Sequence, residues 1–159
     1  ISPILAKELG ERFVAPGAFD KLLADGRKGK KTEKGFYLYG KNAKKGKKLV
    51  DETVYSVLGV TAAPRLNRDE ISSRCMVQML NEAVRTLEEG IIASARDGDI
   101  GAIFGIGFPA WTGGALQFIY GQGVDAFAKR CAELAALYGE GFVLTAEVIA
   151  SLKQHQPVY

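Results

Sequence analysis

Few residues of this chain have types and spacing suited to chemistry. Gly105-Ile-Gly107-Phe-Pro-Ala110 matches the G-x-G-x-x-A pattern of dinucleotide-binding turns. That pattern works where a strand hands the chain to a helix, so that the helix N-terminus meets a pyrophosphate. Here the preceding stretch has helical character, Pro109 intrudes in the turn, and no acid with a strand behind it follows at the ribose distance. The glycines are instead expected to serve packing. Gly101 and Gly105 would let two helices approach closely, which would justify the roughly 1 kcal/mol that each glycine costs a helix relative to alanine. His155 is the only histidine, so a zinc site or a Ser-His-Asp triad would have to use it, near the end of the chain. Cys75 and Cys131 fall on apolar helix faces and read as reduced core thiols. No catalytic, cofactor-binding or metal-ligating residue is predicted.

Charge is distributed unevenly. Residues 27–48 hold ten of the 21 basic residues and one acid, Glu33, giving 10 − 1 = +9; the remainder is 11 − 17 = −6. The basic character therefore belongs to one segment. Such a loop could grip the phosphates of nucleic acid or of a nucleotide-bearing substrate. It lacks the aromatic interleaving and helical register of a nucleic-acid reader, so a solvated loop and no nucleic-acid partner are expected.

The elements that must position anything functional are helical. With 159 residues, 47% hydrophobic and 25% charged, the chain fits a single domain, or one built from two units. A chain of this size can bury about 70% of its unfolded surface. Its central stretch runs from Arg74 to Gly114. Ile71, Cys75, Val77, Leu80, Val84, Leu87 and Ile91 recur at steps of two to four, the mark of an amphipathic helix. Arg74, Gln78, Glu82, Arg85 and Glu89 cover its other side, where Arg85 can pair with Glu82 and Glu89. Asn67-Arg-Asp-Glu70 reads as a capping box in front of it, with Asn67 accepting from the Glu70 N–H and Glu70 reaching back. Gly90 would stop the helix. Ser94 would cap the next one, 95–104, with Asp97 and Asp99 near its positive end. Further helices are expected over 2–9, 18–25, 51–58, 114–120, from Val124 to Tyr138, and over 146–153 behind a Thr145 cap. The basic segment reads as exposed loop with a short extended piece at Phe36, Leu38 and Tyr39. Strand signals are otherwise nearly absent, so the fold class is all-α. The 25 uncharged residues from Ile100 to Val124 are split by Pro109 and by Gly113-Gly114, which argues against a membrane span.

The chain also resembles itself. Shifted by 129 residues, LAKELGERFVAPGAFDKLL at 5–23 faces LAALYGEGFVLTAEVIASL at 134–152, with seven identities in nineteen. The shared core is Gly-Glu-x-Phe-Val. The chain thus reads as the tail of one helical unit with a basic connecting loop, 1–60, followed by a complete second unit, 61–159. The counterpart of residues 65–130 in the first unit would lie upstream of Ile1. That expectation, with an Ile rather than a Met at position 1, makes the chain a C-terminal piece of something longer.

LNEAVRTLEEGI followed by ARDGDIGAIFGIGFPAWTGG resembles the C-terminal helical domain of 3-hydroxyacyl-CoA dehydrogenases, in the form found in multifunctional bacterial β-oxidation enzymes. GRKGKKTEKGFYLYG is similar to the "G-R-K-x-G-x-G-F-Y" ending of the first helical unit in that family. The likeness covers nearly the whole chain, with two motifs in the right order. It implies a helical bundle and a parent enzyme that oxidises (S)-3-hydroxyacyl-CoA to 3-ketoacyl-CoA with NAD and also hydrates enoyl-CoA. It implies upstream NAD-binding and hydratase domains in the same chain, an acyl-CoA substrate, a thiolase β subunit as partner, and a cytoplasmic location. The family's catalytic Asn opens the first helical unit in a Val-Asn-Arg motif; the matching place here holds Ser73-Arg74. The resemblance therefore implies a noncatalytic copy that binds no NAD itself and gives structural support or subunit contacts. The competing reading is a stand-alone helical dimerisation module.

Overall fold

The computed structural model describes residues 2–43, 48–61 and 66–156. Among these there are eight α-helices and no strand. They are α1 (Ser2–Leu9), α2 (Ala18–Ala24), α3 (Thr53–Leu58), α4 (Arg68–Glu88), α5 (Ala95–Ile106), α6 (Ala115–Gln122), α7 (Val124–Tyr138) and α8 (Ala146–Gln154). The chain divides into two compact units, 1–65 and 66–159.

In the second unit, α4 carries the core. Val77, Leu80, Asn81, Val84 and Leu87 are its buried residues, a single stripe at helical spacing. Cys75 lies nine positions before Val84, half a turn out of phase at 100° per residue, and is exposed. Ile71 and Ile91 are exposed as well. The apolar face is thus narrower than the sequence reading drew it, and Cys75 is not a core thiol. Cys131 is one, and burial pushes its thiol up to about 11. Its Sγ lies 3.5 Å from Oδ1 of Asn81, whose Nδ2 donates to the Phe142 carbonyl at 3.4 Å. Asn81 is fully buried, a polar group tying α4 to α7 and to the turn beyond it.

The helix ends follow the capping residues. Asn67 accepts from the Asp69 N–H at 2.9 Å, one residue earlier than a capping box requires. Glu70 does not reach back; it pairs with Arg130 at 2.8 Å. Ser94 accepts from the Asp97 N–H and Thr145 from the Val148 N–H. Gly90, at φ 67°, ends the α4 region in the left-handed conformation that favours glycine. Around α4 pack α5, α6 and α8. Leu80, Leu116, Ile119, Leu134 and Leu152 are the largest side chains wholly excluded from solvent.

The first unit has little apolar core: Leu22 and Val54 are its buried hydrophobic residues among those described. Its centre is ionic. Arg27, only 7% exposed, donates from Nη1 to Asp51 Oδ2 at 2.8 Å and to the Gly35 carbonyl at 2.6 Å. Its Nε donates to Asp25 Oδ2 at 2.8 Å and its Nη2 to Thr53 Oγ1 at 2.5 Å. This one guanidinium links the end of α2, the extended piece at Gly35 and the start of α3. The sequence reading placed Arg27 in a solvated loop. Its partner Asp51 lies 24 residues on, beyond the reach of local charge patterning. In the described part of that loop Lys28, Lys30, Lys31 and Lys41 are exposed, and antiparallel bridges Gly29–Lys34, Lys34–Leu38 and Tyr37–Val50 are its extended pieces.

Candidate functional site

The uncharged run that follows α4 forms the most distinctive surface of the second unit. Helix α5 turns Asp99, Ala102 and Ile103 inward, while Ile100 and Phe104, one turn apart, face out. The helix ends at Gly107, with φ 72°, and the Phe108 N–H returns to the Ala102 carbonyl at 3.0 Å. Phe108 is buried against the ring of Phe118, centroids 6.4 Å apart. Pro109 then opens a short 3-10 turn, Ala110–Thr112, which presents Trp111 to solvent. Phe104 and Trp111 are each 85% exposed and Ile106 69%. Next to them a groove of about 420 Å³, lined by Met79, Ala83, Ile92, Gly101 and Ile106, runs between α4 and α5. Exposed large apolar residues beside a mostly apolar groove mark a contact surface; Glu82 and Asp97 are the carboxylates in the groove's lining.

The glycines act differently from expectation. A Cβ added at Gly101 or Gly105 would meet nothing within 4 Å, so neither admits a neighbouring helix. They keep the exposed face of α5 low. The packing glycines are Gly98 and Gly114. A Cβ at Gly98 would lie 2.6 Å from Ile92 Cδ1, and one at Gly114 2.3 Å from Asp99 Cβ. Gly114 brings the backbone against Asp99 so that the carboxylate can cap α6 from a different helix. Asp99 Oδ1 accepts the Leu116 N–H at 2.7 Å and the Gln117 N–H at 3.2 Å. Asp99 is 9% exposed, and burial raises its carboxyl above the usual value against the pull of those two N–H donors. Tyr120, one turn on, is also buried, and its hydroxyl is raised by burial and by the Asp99 charge.

Gly105 to Ala110 does not fit a dinucleotide. A helix end runs into Pro109 and a 3-10 turn, with no strand before it and no helix N-terminus after Gly107 to meet a pyrophosphate. His155 is exposed and spends Nδ1 on the Ser151 carbonyl at 2.9 Å, inside its own helix end. Among the described residues no three His, Cys, Asp or Glu are grouped to hold a metal ion. No described helix is long and apolar enough to cross a membrane.

Ser73-Arg74 is engaged with α7. Ser73 Oγ accepts from Arg130 Nε at 2.9 Å, and the Arg74 guanidinium stacks 3.7 Å from the centroid of the Tyr138 ring. Sequence reasoning missed Asn81 and the Arg130–Glu70 pair. It set Asp99 near the positive end of its own helix, whereas the carboxylate caps α6.

Comparison with known proteins gives a consistent answer. No family model matches the chain. The fatty acid oxidation complex subunit alpha of Shewanella amazonensis is 58% identical over 159 residues, the whole of this chain. Those of Shewanella frigidimarina and Shewanella loihica are 60% and 61% identical over 142 residues, 89% of it. The chain belongs to the family of these alpha subunits. It spans about a fifth of their length, 22% for the first and 20% for the others. The helical motifs quoted from this sequence lie within the matched region.

Proposed function

We infer that the chain is the noncatalytic helical part of a multifunctional β-oxidation enzyme. In that reading the whole protein removes a hydride from C3 of (S)-3-hydroxyacyl-CoA with NAD as acceptor, yielding 3-ketoacyl-CoA, and also hydrates enoyl-CoA. The NAD-binding and hydratase domains belong to the upstream region of the subunit, a thiolase β subunit is its partner, and the setting is cytoplasmic. Residues 1–60 are the tail of a first helical repeat and 61–159 the second. The observation that carries this reading is the 58% identity sustained over all 159 residues.

The role of this chain follows from its surfaces. The contacts of Ser73 and Arg74 with α7 support a structural role for that pair, and the turn after Gly107 supports the same for Gly105–Ala110. What the second unit offers is a rigid core with an uncharged outer face at Phe104, Ile106 and Trp111. That face serves as a contact with the remainder of the enzyme. The 159-residue chain should therefore neither oxidise 3-hydroxyacyl-CoA nor bind NAD. Saturable NAD binding in the micromolar range, measured by calorimetry, would contradict the noncatalytic assignment.

A further inference from the structure

We propose that the groove between α4 and α5 receives an amphipathic helix from the part of the alpha subunit outside this chain, with a basic side chain of that helix against Asp97. The source of the helix rests on the reading just given; the shape and charge of the site rest on geometry. Met79 and Ala83 line the groove from α4, and Gly101, Ala102 and Ile106 line it from α5. Phe104 and Trp111 stand open to solvent beside it. Gly101 and Gly105 lie inside α5, where each costs about 1 kcal/mol relative to alanine. Nothing within the described residues requires their small size, since a Cβ at either meets nothing within 4 Å. An incoming helix does require it, because glycine lets another backbone approach closely.

The form of the site and its charge select the occupant. No described strand offers an edge, so side chains must make the contact. A helix does this by laying a row of apolar anchors, at steps of three and four, into a groove. The groove's lining holds two carboxylates, Glu82 and Asp97, and no cation. Arg85 lies 3.6 Å from Glu82. Asp97 accepts the Ser94 hydroxyl at 2.7 Å and has no cation paired with it among the described residues. A lysine or arginine beside the apolar row of the incoming helix supplies the opposite sign. The same face of a second copy fits less well, because it brings the same two carboxylates and no cation in its lining. This chain covers 22% of the alpha subunit of Shewanella amazonensis, so a subunit of that length has most of its residues outside this chain to supply the helix.

The test is hydroxyl-radical footprinting of the whole alpha subunit, without other subunits, against the 159-residue chain. Phe104 and Trp111 should be oxidised about fivefold more slowly in the whole subunit, as expected of aromatic anchors in a desolvated contact. Gly101→Phe fills the groove at a position where a Cβ meets nothing, and in the whole subunit it should restore fast oxidation of both. The same variant should newly expose apolar side chains upstream, spaced three and four apart with a lysine or arginine among them. Asp97→Arg, which reverses the charge in the lining, should raise oxidation at the same places; a thermal melt checks that each variant folds. Equal oxidation in the whole subunit and the chain would overturn the proposal. So would protection that survives both variants, or an upstream set without helical spacing or without a basic residue. Protection that appears in the 159-residue chain on raising its concentration would assign the groove to a second copy instead. Failure of the enzymatic reading would appear as absence of turnover by the whole protein, which footprinting does not measure.

Discussion

Two segments of this chain adopt one local design and are stabilised in opposite ways. At 5–14 a helix ends at Gly10, with φ 85° and ψ −172°; at 134–143 a helix ends at Gly139, with φ 97° and ψ −175°. In both, the glycine N–H returns to the alanine four residues back, at 3.1 and 2.9 Å. In both, a 3-10 turn follows, Glu11–Phe13 and Glu140–Phe142, and a valine in extended conformation closes it. A second short helix then begins. The surroundings differ. Phe142 is 6% exposed and seals the core of its unit, whereas Phe13 is half-buried and Ile4 and Leu5 are exposed. Leu152 is fully buried, while its sequence counterpart Leu23 is exposed and its neighbour Leu22 takes the inward position. Backbone geometry thus follows the Gly-Glu-x-Phe-Val sequence, while burial follows the neighbours that each unit supplies. In the second unit those neighbours are α4 and the body of α7. In the first they are α3 and the Arg27 ion pairs, which hold together what little apolar core there is.

The largest expected effect breaks this comparison on its ionic side. Arg27→Ala leaves Asp51 buried without its cation and should cost about 3–5 kcal/mol, the usual penalty for halving a buried pair. The first unit should lose its structure while the second keeps its own. Amide exchange resolved by segment measures this: protection should vanish over residues 18–58 and persist over 77–152. A uniform loss across the chain would show that the node does not act locally.

A smaller effect sharpens the contrast from the side of the second unit. Gly114→Ala places a Cβ 2.3 Å from that of Asp99 and forces φ 120° on an alanine. It should cost about 2 kcal/mol through overpacking and loss of the α6 cap. Gly105→Ala meets nothing within 4 Å and replaces a glycine inside α5, so it should be neutral or stabilise by up to about 1 kcal/mol. Chemical denaturation of both variants reads the difference. Equal destabilisation would return Gly105 to the packing role expected from sequence pattern.

Much of the fold was legible because its signals are local. Asn67, Ser94 and Thr145 all cap the helices that follow them, and Gly90 ends one. The helical period placed Val77, Leu80, Val84 and Leu87 inside. It misplaced Cys75, since a set spaced at two to four residues contains two phases and only burial selects one. The contact face was harder to see. The sequence marked Ile100 to Val124 only as an uncharged run, and only the structure shows that Phe104 and Trp111 stand open to solvent. The partners of Arg27, Asp51 and Asp99 were illegible for one reason: each lies far along the sequence, 24 residues away for Arg27 and Asp51, 17 for Asp99 and Leu116.

The central claim, that an ionic node holds the first unit and an apolar core the second, is tested most directly by acid. Hydrogen bonds from Thr53 and from Arg27 hold the Asp51 carboxyl below its ordinary value, and Lys34 with Arg27 does the same for Asp25. A carboxyl lowered on folding stabilises at neutral pH, and that contribution is lost as pH falls through its folded value, below about 4. Asp99 has the opposite sign: raised by burial, it favours the fold most when protonated, so acid relieves its cost. Segment-resolved amide exchange, corrected for intrinsic rate, between about pH 6 and about pH 2.5 should show residues 18–58 losing protection first while 77–152 remain protected. Simultaneous loss in both units, or earlier loss over 77–152, would contradict the account.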